Sequence, residues 1–237
     1  LMDTLLAEWY WHYFQQNKWR FMQRTATATP PGKDFTTWDL PRLFVAIDRQ
    51  FQKALAAEKI LKATPISAWN DLLIKGTMPD RYRPTLYDFI AHQALEFYTS
   101  GEQAAAKPED AFELSADGPA LESHDKFLAW WRTFPAKQFP DSPIIKALTL
   151  HGALTAFHEK DSDPAAFLDA DLARLAYAWN TASGQSRNDR YQAALKAFVD
   201  KWADDELSAL ARERWGRVLQ QQDDLVAAHK LALQGAQ

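Results

Sequence analysis

The stretch SALARERWGRVLQQQDDLVAAHKLALQ, residues 208–234, decides the fold class of this 237-residue chain. It reads as one helix–turn–helix unit. Gly216 falls where two helices must cross closely, Asp223-Asp224 falls at the tight turn, and Ala228 follows Gly216 by twelve residues, where the second helix packs back on the first. Leu219, Leu225 and Leu231 supply the apolar seam. A hairpin of this kind cannot bury both of its faces alone, so it must stack on neighbours.

The unit is of tetratricopeptide type, and the expectation is an all-α chain. Its helical hairpins would stack as an irregular α-α superhelix, tetratricopeptide-like towards the C-terminus. Such arrays present surfaces rather than catalyse reactions. Composition agrees. Ten tryptophans and 13% aromatic residues suit helix-on-helix packing, and of the 8 glycines several fall at apparent helix ends. No alternating β-branched run marks a strand.

Charge and cysteine usage narrow the function classes. Lys and Arg number 27 against 31 acidic residues, giving −4, so no global basic field recruits nucleic acid or an anionic membrane. The absence of cysteine removes disulfides, thiolate metal sites and cysteine nucleophiles. No apolar run approaches the roughly 20 residues that span a bilayer. Leu1-Met2-Asp3 leads directly into an amphipathic helix with no signal peptide in view, and a chain beginning with Leu reads as a processed or cut piece.

Three regions follow from the helix punctuation: an aromatic-rich helical half over 1–101, an irregular connecting segment over 102–141, and a tetratricopeptide-like array over 142–237. The first helix is expected from about Asp3 to Arg24, followed by a loop from Thr25 to Lys33 around Pro30-Pro31-Gly32. Asp39 with Pro41 opens the second, whose stripe runs Leu40, Leu43, Phe44, Ile47, Phe51, Leu55 and Leu61. Thr64-Pro65 opens a short helix that Gly76 closes, and Thr85 opens another that Gly101 closes. Ser142-Pro143 and Asp163-Pro164 repeat one device, a capping residue followed by proline at the first helical position. Asn188 starts the helix carrying Tyr191, Leu195, Phe198 and Trp202.

Candidate chemistry is sparse. Asp88, His92 and Glu96 recur at i, i+4 and i+8 on one helix face, which could supply half of a metal site. The competing reading is a polar stripe beside the Leu86/Phe89/Ile90 core, and without a ligand motif it carries more weight. His151 and His158, seven apart near Glu159 and Asp161, read as half-buried interhelical histidines. Asp169 and Asp171 point about 200° apart on a helix, so they cannot share a substrate, and Asp169 is expected to face solvent or to pair with Arg174 or Lys160. The N-terminal Trp and Tyr residues could stack on sugar rings, but a stripe of this kind reads first as core. Phosphate loops, nucleophile elbows and basic–aromatic patches are absent. No catalytic, cofactor-binding or metal residue is therefore assigned, and no cofactor is expected.

Several strings carry a family resemblance. Arg83-Pro84-Thr85-Leu86-Tyr87-Asp88-Phe89 with Ala91-His92 resembles a recurrent segment of large bacterial, Bacteroidetes-type alpha-2-macroglobulin-like proteins. Asn17-Lys18-Trp19-Arg20 with Arg24-Thr25, and Thr37-Trp38-Asp39-Leu40-Pro41, are similar to segments preceding it there. Asp169-Ala170-Asp171-Leu172 with Arg174-Leu175 is similar to a later one.

The resemblance implies an N-terminal helical region preceding β-sandwich domains, a bait region and a thioester domain, in an exported protein that traps proteases at the bacterial envelope. It implies a periplasmic or cell-surface location. It also implies partners among the other domains of the same polypeptide and other envelope proteins, with no nucleic acid and no membrane span in this segment. The thioester needs a cysteine, so that chemistry lies elsewhere, and no family catalytic position carries over. A non-catalytic scaffold or interaction module is the resulting expectation. The alternative is a carbohydrate- or peptide-binding helical domain of an outer-membrane uptake system, which coplanar exposed tryptophans would favour. A helical-toroid lyase or glycosidase would need a cleft with two facing carboxylates.

Overall fold

The computed structural model describes residues 1–23, 32–74, 76–106 and 112–235, and these fold as helices joined by turns, with no strand among them. The expected Pro30-Pro31 turn and Arg24-Thr25 lie outside the described residues. The chain divides into two compact units, Leu1–Ala111 and Phe112–Gln237.

In the first unit, α1 (Met2–Gln16) and α2 (Lys18–Met22) replace the single helix expected to Arg24. The break falls at Asn17, whose backbone leaves helical geometry (φ −119°, ψ 22°) and whose side-chain amide donates to the Tyr13 carbonyl at 2.9 Å. That bond offers the chain an alternative to the helix ladder, as Asn commonly does. Asp39 caps α3 (Leu40–Leu55) by accepting from the Arg42 N–H at 3.0 Å, with Pro41 in the first turn. The stripe Leu43, Phe44, Ile47 and Phe51 is buried as its spacing requires. Leu61 belongs to a separate helix, α4 (Glu58–Ala63).

Thr64-Pro65 does not open an α-helix. It leads into a single 3-10 turn, Ile66–Trp69, because backbone bonds from Ile66 N–H to the Pro84 carbonyl (2.8 Å) and from Leu86 N–H to the Thr64 carbonyl (2.9 Å) hold the strand-like entry extended. Thr85 starts α5 (Leu86–Tyr98) with a full capping box, and the short α6 (Gln103–Ala106) follows. α1, α3 and α5 pack together through interlocked rings of Trp11, Phe14, Phe44 and Phe97, with centroids 5.1–5.9 Å apart.

The second unit begins inside the stretch expected to be an irregular connector. There α7 (His124–Thr133) forms and buries Phe127 and Leu128 completely. α8 (Pro143–His158) and α9 (Ala165–Thr181) then pack as a pair, followed by α10 (Arg187–Lys201). Ser142-Pro143 starts α8 as expected, with Pro143 at the first helical position, whereas Pro164 precedes the first helical residue of α9 and Asp163 lies one position further out. Ser142 Oγ accepts from the Ile145 N–H at 3.2 Å, and Asp163 Oδ1 accepts from the Ala165 N–H at 3.0 Å. α7 crosses α8 so closely that a Cβ on Gly152 would stand 2.5 Å from the Trp131 indole.

The opening stretch becomes α11 (Leu207–Gln221) and α12 (Leu225–Gly235), an antiparallel pair closed at Asp223-Asp224. Leu219, Ala228 and Leu231 form its seam, with Trp215 and Ala227 against it. Leu225, expected in that seam, is exposed instead. The crossing at Gly216 is close but not glycine-tight, since a Cβ there would lie 3.8 Å from the Ala228 carbonyl oxygen.

Candidate functional site

The polar candidates are dispersed over the fold rather than gathered at one site. Asp88 is buried at the start of α5, where Oδ2 accepts from both the backbone N–H and the hydroxyl of Thr85 at 2.8 Å. It completes the capping box, while His92 is half-buried and Glu96 exposed on later turns. Among the described residues, no group of three or more His, Asp or Glu is placed to hold a metal ion.

Glu96 does act on a neighbour that sequence reading passed over. Glu8 of α1 faces α5, and the Gln93 amide nitrogen, in the orientation its surroundings favour, reaches both Glu8 oxygens at 3.0 and 3.1 Å. Burial pushes the Glu8 carboxyl up to about 7, with His12 opposing the rise and Glu96 adding to it. Nothing in the sequence spacing connects Glu8 with Gln93, because the packing of α1 on α5 alone brings them together.

His151 and His158, expected to be half-buried, are both fully buried on α8 and do not act together. His151 stacks on Tyr177 with ring centroids 5.4 Å apart, and neither ring nitrogen has a hydrogen-bond partner. Burial, aided by the Arg174 charge, lowers its pKa to about 3, so the ring is neutral. His158 Nδ1 lies 2.7 Å from Asp161 Oδ2.

Of the alternatives open to Asp169, pairing with Arg174 does not occur, because Arg174 is paired with Asp171. Arg174 Nε and Nη2 donate to Asp171 Oδ1 at 2.8 and 2.6 Å. On a helix i,i+3 puts these two side chains on one face, which i,i+5 from Asp169 does not. Arg174 also donates to the carbonyls of Ala120 at 2.7 Å and Glu122 at 3.1 Å, and its guanidinium lies 4.6 Å from the Phe127 ring centre. This fully buried arginine thereby fastens the segment before α7 onto α9. A cleft of about 120 Å³ adjoins it, bordered by His124, Lys201, Phe198 and Trp202, with Lys201 Nζ 3.5 Å from His124 Nε2. That volume accommodates a few water molecules and no sizeable substrate.

The aromatic N-terminus is mainly core. Trp11, Phe14 and Phe21 are buried, whereas Trp9 and Trp19 are exposed. Apolar side chains face outward along two helices. On α1 they are Met2, Leu5 and Trp9, at i, i+3 and i+7. On α12 they are Leu225, Val226 and Leu233, 64%, 69% and 57% exposed, although the opposite face of the same helix is already buried on α11. Between α11 and α12 runs an open groove of about 380 Å³, lined by small and apolar residues such as Gly216, Ala228 and Leu231 and by Arg212, Glu213, Arg217 and Gln220.

No helix among the described residues is long and apolar enough to cross a membrane. Comparison with family models, with curated proteins and with solved structures gave no match to this chain.

Proposed function

We propose that this chain is a non-catalytic helical scaffold and interaction module of a larger exported alpha-2-macroglobulin-like protein that takes part in protease trapping at the bacterial envelope. Its hairpins would continue as an irregular superhelix, tetratricopeptide-like at the C-terminal end. Its partners would be other domains of the same polypeptide and other envelope proteins. The observation that carries the interaction role is α12, apolar on both faces yet covered on one. A single exposed apolar side chain needs no explanation, but Leu225, Val226 and Leu233 together on the outer face of one helix favour burial by something else. The family context draws on the ordered strings around Trp19, Trp38, Asp88 and Asp171.

Hydrogen exchange tests the interaction role. Amides of α12 are expected to exchange at least tenfold more slowly in the full-length protein than in this chain alone. Equal rates along α12, and equally along α1, would remove the reading. Translation of the reading frame on both sides tests the family: sandwich repeats and a Cys-x-Glu-Gln element downstream are expected, and their absence would end the protease-trap context.

A further inference from the structure

α1 meets α5 through a polar contact set in a largely apolar seam. Thr4, Ala7, Glu8, Trp11 and Phe14 recur along the inner face of α1, and all but Glu8 are buried. The Glu8 side chain is 17% exposed, and the Gln93 amide nitrogen of α5 serves both of its oxygens, at 3.0 and 3.1 Å. We infer that Glu8 and Gln93 form a proton-operated latch between α1 and α5, which holds α1 in place while Glu8 is protonated and loosens it when the proton leaves. This step is independent of the interaction role proposed above.

The surroundings of the carboxyl favour its neutral form. Gln93 is a neutral donor, so it satisfies the oxygens without offsetting a charge. Thr4 lies one turn before Glu8, but its buried hydroxyl makes no hydrogen bond among the described residues. His12 Nδ1 stands 3.6 Å from Glu8 Oε2, yet it is engaged by the Glu8 carbonyl at 2.8 Å and its side chain is 67% exposed. Glu96, three residues after Gln93 on α5, brings a like charge to the same side. Arg42, Asp48, Arg49 and Lys53 of α3, Lys18 and Arg20 of α2, and Asp88 and His92 of α5 form no hydrogen bond or ion pair with Glu8 among the described residues. A negative charge on Glu8 is thus partly desolvated, faces another of its own sign and has no lysine or arginine to answer it.

The backbone gives α1 a place to pivot. Its helix ends at Asn17, whose dihedral angles leave helical geometry, and the next turn is tied separately by Lys18 to Glu102 at 2.5 Å. Loosening at the seam puts the carboxyl in water, where a glutamate titrates near 4.5, against about 7 in place. The open form therefore gains as pH rises from 4.5 to about 7, and the gain is complete above that. Between pH 5.5 and pH 7.5 the opening constant should rise on the order of tenfold.

Hydrogen exchange of the whole chain at these two pH values tests the latch, each rate being divided by that of an unstructured peptide at the same pH. Amides from Ala7 to Trp11 are expected to lose about tenfold in protection at pH 7.5, while those from Phe44 to Phe51 on α3 keep theirs to within about twofold. Glu8→Gln keeps the shape and removes the titration, so α1 protection should become the same at both pH values. Glu96→Gln, at an exposed position, is expected to shrink the pH effect without abolishing it. A carboxyl-carbon NMR titration of the parent chain reads the group directly, and holds even where Glu8→Gln fails to fold; the Glu8 midpoint is expected near neutrality.

Protection of α1 that does not change with pH overturns the inference. So does a pH effect that Glu8→Gln leaves intact, which would assign the titration to His12 or His92. Equal losses in α1 and α3 would make the effect a property of the whole unit and overturn the latch too. A Glu8 midpoint in the ordinary glutamate range removes it outright.

Discussion

His151 makes unit 2 sensitive to acid. Its ring titrates at about 3 when folded, against 6.5 for an ordinary histidine. Between those two values the unfolded chain takes up a proton that the folded one refuses, so stability falls as pH drops below about 6.5 and goes on falling towards 3. At 1.36 kcal/mol per pKa unit, the loss between pH 7 and pH 5 is about 2 kcal/mol. Glu8 works in the opposite direction, since its raised pKa favours the folded state at lower pH, so the whole-chain profile mixes both slopes. Replacement of His151 by Phe isolates one of them. The phenyl ring retains the stacking on Tyr177 and leaves no unpartnered nitrogens. Urea midpoints at pH 7 and pH 5 should fall less for His151→Phe than for the parent, by the equivalent of about 2 kcal/mol. Parallel falls in the two proteins would reject the account.

Glycine matters at the level of the element, and in a different place from the one the sequence suggests. A methyl on Gly152 would meet the Trp131 ring at 2.5 Å, so the ring or the α7–α8 packing must shift. Gly152→Ala should cost about 1–3 kcal/mol, as overpacking does. Gly216→Ala meets only an ordinary contact, so helix propensity dominates and the change should be neutral to stabilising, by up to about 1 kcal/mol. Thermal melts of the two variants should therefore shift in opposite directions or differ clearly in size; equal losses would place the tight crossing elsewhere. The end of α11 supplies a second element-scale test. Asp224 N–H reaches the Leu219 carbonyl at 2.9 Å and Asp223 N–H the Gln220 carbonyl at 3.1 Å, a Schellman closure with Asp223 at φ 61°. Glycine suits that left-handed position better than aspartate, and a β-branched residue suits it worse. Asp223→Gly should stabilise by about 0.5–1 kcal/mol and Asp223→Val should destabilise by at least as much. A denaturation midpoint that Asp223→Val leaves unchanged would contradict the motif.

For the whole molecule, local signals and long-range ones separate cleanly. The caps at Asp39, Thr85 and Ser142, the α3 stripe and the terminal hairpin were legible because each depends on residues within a few positions of one another. Glu8 with Gln93, Trp131 on Gly152 and Arg174 on the Ala120 carbonyl were not, because helix packing creates them between distant positions. Arg174 is the largest fully buried side chain among the described residues, and it directs its charge at one carboxylate and two backbone carbonyls. Replacing it by Met keeps the bulk against Phe127 but leaves Asp171 charged and buried without its partner. The expected cost is about 3–5 kcal/mol, as for a broken buried pair. Asp171→Asn should cost less, because Arg174 would still hold both carbonyls. The loss from Arg174→Met should also have an address: Ala116 N–H, which donates to the Ser183 carbonyl at 2.8 Å, belongs to the segment that Arg174 fastens down. Its exchange should accelerate with amides over 116–122 while α12 amides, remote in sequence from that fastening, keep a smaller change. Uniform acceleration across α7 to α12, or none at Ala116, would show that Arg174 fills space in the core rather than tying that segment to α9.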